Sequence, residues 1–184
     1  MNKLEQLAQT NSALTQTVTT QLAKLDLETL NFKPHPDSWS ILECLEHLNR
    51  YSRYYNSALA TAIAHNSNGT YLEDINYSWL GKKTLEMVGP QSMKKHKTVK
   101  HMNPNNSKLG RGTIDEFLKN QEKLQQLLQN AKGANLSKKA VPVEFFKLLK
   151  LRIGETLEFM VAHQERHVLQ ALRVKQQLAQ QVAA

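Results

Sequence analysis

Three of the seven histidines fall inside stretches of helical periodicity, and two of these, His163 and His167, stand four residues apart. On a helix that spacing puts both imidazoles on one face, one turn apart, where they can share a metal ion if a third ligand arrives from another helix. His47 can supply that ligand, because it shares the phase of Leu48 and Tyr51 near the core-facing stripe of a second helix. A metal held by three imidazoles, with one position left for water or substrate, has catalytic character. Plainer readings compete. A His pair at this spacing is common on solvated helices, and a lone histidine such as His47 is more often a hydrogen-bonded part of a helix interface than a ligand.

Other chemistry is thinner. The run His163-Gln164-Glu165-Arg166-His167 differs from the zinc-protease pattern, which needs Glu directly after the first His. Here the acid lies two residues on, about 200° round the helix, so it points away. No Glu-x-x-His pair supports a di-iron carboxylate centre. Glu43, one turn before His47, could orient that imidazole, although its expected role is a capping carboxylate. Cys44 reads as a buried, inert thiol. His35, His65, His96 and His101 fall in connections or at a helix end, without ligand spacing.

The elements that must position the three histidines are helical. Leu4, Leu7, Leu14, Val18, Leu22 and Leu25 recur at helical spacing and predict a first helix, broken by Pro34 and Pro36. Ser40-Ile41-Leu42-Glu43 fits a capping box opening a second helix to about Asn66, with Ser38 as an alternative start. Thr113-Ile114-Asp115-Glu116 fits the same pattern and predicts the start of a third helix. A fourth is expected over 153–181, with Val143 to Leu149 as one or two further helical turns. Residues 67–112 read mostly as connection, with a short helix around Trp79 to Val88. Four long helices with unequal links predict an all-α, four-helix bundle in one domain spanning 1–184.

The charge sits apart from this chemistry. The chain of 184 residues carries a net +8, but residues 1–81 carry −3, residues 82–111 carry +7 and residues 112–184 carry +4. Lys82, Lys83, Lys94, Lys95, Lys97, Lys100, Lys108 and Arg111 could therefore touch nucleic acid or an acidic partner. A solvated connection is the better reading, since no aromatic residue lies between Trp79 and Phe117 to stack on bases. One cysteine excludes an internal disulfide framework, and no apolar run approaches the roughly 20 residues of a membrane span. A cytoplasmic protein is expected, with no membrane partner.

Two motif regions carry a resemblance. Pro36-Asp37-Ser38-Trp39-Ser40-Ile41-Leu42-Glu43, followed by Leu45-Glu46-His47-Leu48, resembles the opening of the second helix in DinB-like (YfiT-like) proteins. Residues 154–171, with His163, Arg166, His167 and Gln170, resemble that family's last core helix. The resemblance implies a four-helix bundle in which one His of the second helix and a His-x-x-x-His pair bind a divalent metal, here His47, His163 and His167. Zinc, nickel and iron all suit three neutral imidazoles. Characterised relatives include S-transferases and an isomerase that use low-molecular-weight thiols, and others are described as metal-dependent hydrolases. The implied function is thus a metal-dependent transferase or hydrolase acting on a small molecule, with a homodimer as the expected assembly and Tyr54, Phe145 and Phe146 available to a partner. A metal-stabilised scaffold without catalysis would use the same three ligands.

Overall fold

A computed structural model describes residues 1–67, 74–90 and 98–183, the side chains of residues 182 and 183 excepted. It is mostly helical. Asn2 opens α1 (Lys3–Thr17) with a reciprocal capping box to Glu5. The helix then widens into a π-helical turn over Val18–Leu22. The hydroxyls of Thr15, Thr17, Thr19 and Thr20 each donate to the carbonyl four residues back, at 2.8–3.0 Å, in and just before this turn. Such back-bonding bends helices. Leu4, Leu7, Leu14, Val18 and Leu22 are buried as expected, but the chain leaves the helix before Leu25. A short α2 (Leu27–Asn31) follows, capped by Asp26.

The second long helix, α3 (Ile41–Ala64), starts where its sequence says it should. Ser40 N–H donates to the Glu43 carboxylate at 2.9 Å, and Glu43 N–H donates to the Ser40 hydroxyl at 3.1 Å. Ser38 instead bonds His35. The short helix α4 (Trp79–Val88), capped by Ser78, lies along the last helix so closely that a Cβ on Gly81 would collide with the Glu155 side chain.

Two expectations are corrected beyond this point. The next long helix, α5 (Gly112–Asn130), follows Arg111 without a side-chain cap, and Thr113 is buried inside its first turn. Arg111 fixes the helix start by reaching back to the Ala23 and Leu25 carbonyls, at 2.9 and 2.6 Å. The supposed capping carboxylate, Glu116, is instead clasped at both oxygens by Arg53. Residues 143–149 are also not helical. β1 (Lys139–Val143) and β2 (Phe146–Arg152) form an antiparallel hairpin, so the chain is not purely α. Val141 and Val143 are buried on alternate positions, and the register slips beside Pro142, which has no N–H to offer the ladder. The hairpin runs straight into α6 (Ile153–Ala183).

Helix α3 packs against α5 and α6, and α1 packs against the same two. Paired contacts at Asn49–Thr113, Arg53–Glu116 and Asn56–Asn120 make α3 and α5 parallel. The His47–His163 and Tyr55–Phe159 contacts make α3 and α6 antiparallel. The apolar core falls into two clusters, one around Leu7, Tyr55, Leu124 and Met160 and the other around Leu14, Leu48, Phe117 and Val168. No helix among the described residues is long and apolar enough to cross a membrane.

Candidate metal centre

The antiparallel packing of α3 on α6 sets His47 opposite the turn that carries His163 and His167. All three are buried, at 2%, 5% and 8% relative exposure, so their nitrogens face protein rather than bulk water. One nitrogen from each lies within 4.8 Å of the others, and the two Nε2 atoms of His47 and His163 are 3.1 Å apart. The rings meet edge-on, with centroids 4.6–5.0 Å apart.

Their outer nitrogens are spoken for where the geometry shows them. His47 Nδ1 is 2.8 Å from the Met102 carbonyl, which can only accept, so Nδ1 carries the proton and the neutral ring presents its lone pair at Nε2. His167 Nδ1 is 2.9 Å from Gln170 Oε1, which orients that ring in the same manner. Burial, the dominant cause in each case, lowers His47 to about 4 and His167 to about 3, and holds His163 well below the ordinary imidazole value. All three are therefore neutral near pH 7 and chemically fit to be ligands.

A divalent ion about 2.1 Å from each of two imidazole nitrogens in tetrahedral geometry sets them about 3.4 Å apart. The 3.1 Å approach of His47 to His163 is close to that, and the third nitrogen is within side-chain reach. No carboxylate or thiol joins this cluster among the described residues.

The family model for the DinB superfamily matches residues 6–171. The chain belongs to the DinB superfamily. No curated protein and no solved structure matches it.

Several groups around the centre of this DinB-superfamily protein have roles that residue type and spacing do not assign. Trp39, next to the Ser40 cap, lies over the rings of His47 and His167, at 4.7 and 5.6 Å. Tyr51 and Phe159 close the other side, 4.5 and 5.5 Å from His163. For Tyr51 and Phe159 a signal was present, since each stands four residues from a histidine on its own helix. Met102 offered none, because its contribution is a backbone carbonyl brought in from a loop.

That loop is better organised than a bare connection. Arg50 donates to the His101 and Asn103 carbonyls, at 3.2 and 2.8 Å, while its Nε bonds Glu46. The two carbonyls flank Met102, so Arg50 straps the segment to α3 and aims the Met102 carbonyl at His47. Asn106, at a positive φ of 62°, turns its N–H onto the Glu43 carboxylate. Glu43 therefore serves the cap and this loop, and the His47 ring is oriented by Met102 instead. Cys44 is fully buried, and burial together with the neighbouring Glu43 pushes its thiol far up, as expected for an inert side chain.

Two of the basic residues between positions 82 and 111 are engaged within the protein. Lys83 pairs with Glu86, Arg111 holds two backbone carbonyls, and Lys94, Lys95 and Lys97 lie outside the described residues. Of the other histidines, His101 pairs with Glu144 of the hairpin at 2.7 Å, His65 bonds the Thr61 carbonyl, and His96 lies outside the described residues.

Proposed function

We propose that the protein binds one divalent metal ion through His47, His163 and His167 and is an enzyme, either transferring a low-molecular-weight thiol to an electrophile or hydrolysing a small substrate. The observation that carries the reading is the convergence of three neutral imidazoles from two helices, two of them with the far nitrogen already held. The ion is zinc, nickel or iron, all of which accept imidazole. When bound it would supply Lewis acidity and lower the pKa of a thiol or water in the remaining position. The chain's own residues fix the geometry: the Met102 carbonyl and Gln170 hold two ring tautomers, while Trp39, Tyr51 and Phe159 keep bulk water from the ligands.

The same proposal takes α1, α3, α5 and α6 as a four-helix bundle, and residues 1–184 as one domain. It takes the assembly as a homodimer, in keeping with the exposure of Phe145 and Phe146 on the hairpin. Nucleic acid is not a partner in this reading.

Metal analysis of untagged protein beside the triple His→Ala variant tests the ligand set. Stoichiometric metal in the wild type alone is expected, and equal, substoichiometric metal in both would sink it. A non-catalytic, metal-stabilised scaffold is the second reading, favoured by the depth at which all three rings are buried. Titrating the cobalt-substituted protein with a small thiol separates the two. A new sulfur-to-cobalt charge-transfer band indicates an open position, and an unchanged spectrum indicates a closed, structural ion.

A further inference from the structure

The two apolar clusters are divided by a polar layer that every long helix contributes to. On α1 it is Asn11, between Leu7 and Leu14; on α3, Ser52, between Leu48 and Tyr55. On α5 it is Gln121, between Phe117 and Leu124, and on α6 it is Gln164, between Met160 and Val168. Each polar residue stands three or four positions from its apolar neighbours, so it fills a core-facing slot of its helix. In every case the neighbour on one side belongs to one cluster and the neighbour on the other side to the second.

Cross-helix contacts place Asn11, Gln121 and Gln164 near one level. Asn11 Nδ2 donates to the Gln121 carbonyl at 3.2 Å and to Gln125 at 2.9 Å. Lys3 pairs with Glu158 and Lys175 with the Gln21 carbonyl, so α1 and α6 run parallel and Asn11 is level with residues about one to two positions beyond Gln164. All four residues of the layer are 1% exposed. Yet Gln121 Nε2 and Oε1, Gln164 Nε2 and Oε1, and Asn11 Oδ1 have no hydrogen-bond partner among the described residues.

Buried carboxamides are not left in that condition in folded proteins; a partner is found. The chemistry of the unpartnered atoms says which kind. A cation would satisfy only the oxygens, an anion only the Nε2 donors, and an apolar molecule neither. The partner must both donate and accept, in the space of a core layer, and water meets each condition. We propose that Asn11, Gln121 and Gln164 form an internal water-binding site at the middle of the helix assembly, between the two apolar clusters. Gln164 follows His163 directly and is turned about 100° from it round α6, so it flanks the histidine face, and the water is held by groups that no histidine uses. The site does not depend on the metal or on any catalytic reading.

Rotating-frame Overhauser spectra of the uniformly ¹⁵N-labelled, metal-free protein test this. Cross-peaks from water to the Nε2 protons of Gln121 and Gln164, opposite in sign to those in matched laboratory-frame Overhauser spectra, as for a water bound for longer than nanoseconds, are expected. Cross-peaks between the two carboxamides with none to water would overturn the proposal, because the side chains would then satisfy one another. A Gln121→Leu/Gln164→Leu variant gives a second readout. Its melting temperature is expected to be unchanged or raised, with the water cross-peak to Asn11 Nδ2 lost. A variant that melts well below the wild type, or that keeps this cross-peak, counts against the site.

Discussion

His163 and Gln164 are consecutive on α6, yet they enter two buried polar regions built on opposite terms. At the histidine centre, Met102 and Gln170 hold the outer nitrogens of His47 and His167, and this decides where the lone pairs point. In the carboxamide layer, both polar atoms of Gln121 and of Gln164 are without a partner among the described residues. The first region has its geometry fixed by surrounding groups before any ligand arrives, which is what a metal site requires. The second is polar without being organised, which is what a water can accommodate. Burial alone does not distinguish them, and the partners one bond further out do.

Acid should separate the two regions most strongly. Burial holds His47 at about 4, His167 at about 3 and His163 well below its ordinary value, whereas unfolded histidine titrates near 6.5. Between these limits the unfolded chain binds more protons than the folded one. The neutral rings thus leave stability intact above pH 6.5 and erode it as the pH falls toward 4. Each histidine that stays neutral contributes a loss of about 1.4 kcal/mol per pH unit over that window. Metal-free protein is expected to unfold in acid well above pH 4, as followed by circular dichroism. Carboxamides do not titrate, so the Gln121→Leu/Gln164→Leu variant should lose stability with the same slope as the pH falls, whatever its stability at neutral pH. A changed slope of stability against pH in that variant would break the contrast.

Metal is expected to act on the centre alone. An ion present at about a thousand times its dissociation constant stabilises the fold by about 4 kcal/mol. Zinc should raise the melting temperature of the wild type and of Gln164→Leu alike, and should leave His163→Ala unmoved. A loss of the zinc response in Gln164→Leu would mean that the two regions are one.

How much of this was readable from the chain differs by element. The Ser40 cap and the Thr113 segment share the pattern Ser/Thr-Ile-x-Glu, and only the first is a cap. What cancels the second is Arg111 reaching Ala23 and Leu25, and Arg53 taking Glu116, contacts from far along the chain that a local pattern does not contain. Phe146 to Arg152 mixes apolar and basic residues in a way compatible with either a helix or a strand, and its pairing with β1 decided the matter. The juxtaposition of His47 with His163 and His167 was legible because helical spacing and order constrain it. The Met102 carbonyl was not, because a backbone atom leaves no trace in residue type. The polar layer does leave a trace in the sequence: Asn11, Ser52, Gln121 and Gln164 interrupt apolar stripes at positions where the helical period calls for an apolar residue.

A smaller effect tests how firmly the centre is organised from outside. Gln170→Leu removes the acceptor for His167 Nδ1 without touching a ligand nitrogen. Losing an outer partner of this kind typically weakens metal binding about 10- to 100-fold. Competition with a chelating indicator should show that loss while the melting temperature of the metal-free protein stays within a few degrees. Unchanged affinity would show that packing by Trp39 alone orients the ring.

The smallest expected differences lie within the carboxamides themselves. Asn49 is fully partnered: its Nδ2 donates to the Thr113 carbonyl at 2.9 Å, and its Oδ1 accepts from Asn120 at 3.2 Å. Asn49→Leu removes both bonds across the buried α3–α5 contact and takes away the Asn49 acceptor of the Asn120 carboxamide, and is expected to cost about 2 kcal/mol by denaturant unfolding. Asn11 is partnered only in part, with Nδ2 bonded and Oδ1 unpartnered. Asn11→Leu gives up two hydrogen bonds but also removes an unsatisfied oxygen and adds apolar contact between Leu7 and Leu14. Those terms oppose one another, and a net change under about 1 kcal/mol is expected. A cost for Asn11→Leu equal to that for Asn49→Leu would mean that the layer is as tightly bonded as the α3–α5 contact, and the division between organised and hydrated polarity would fall.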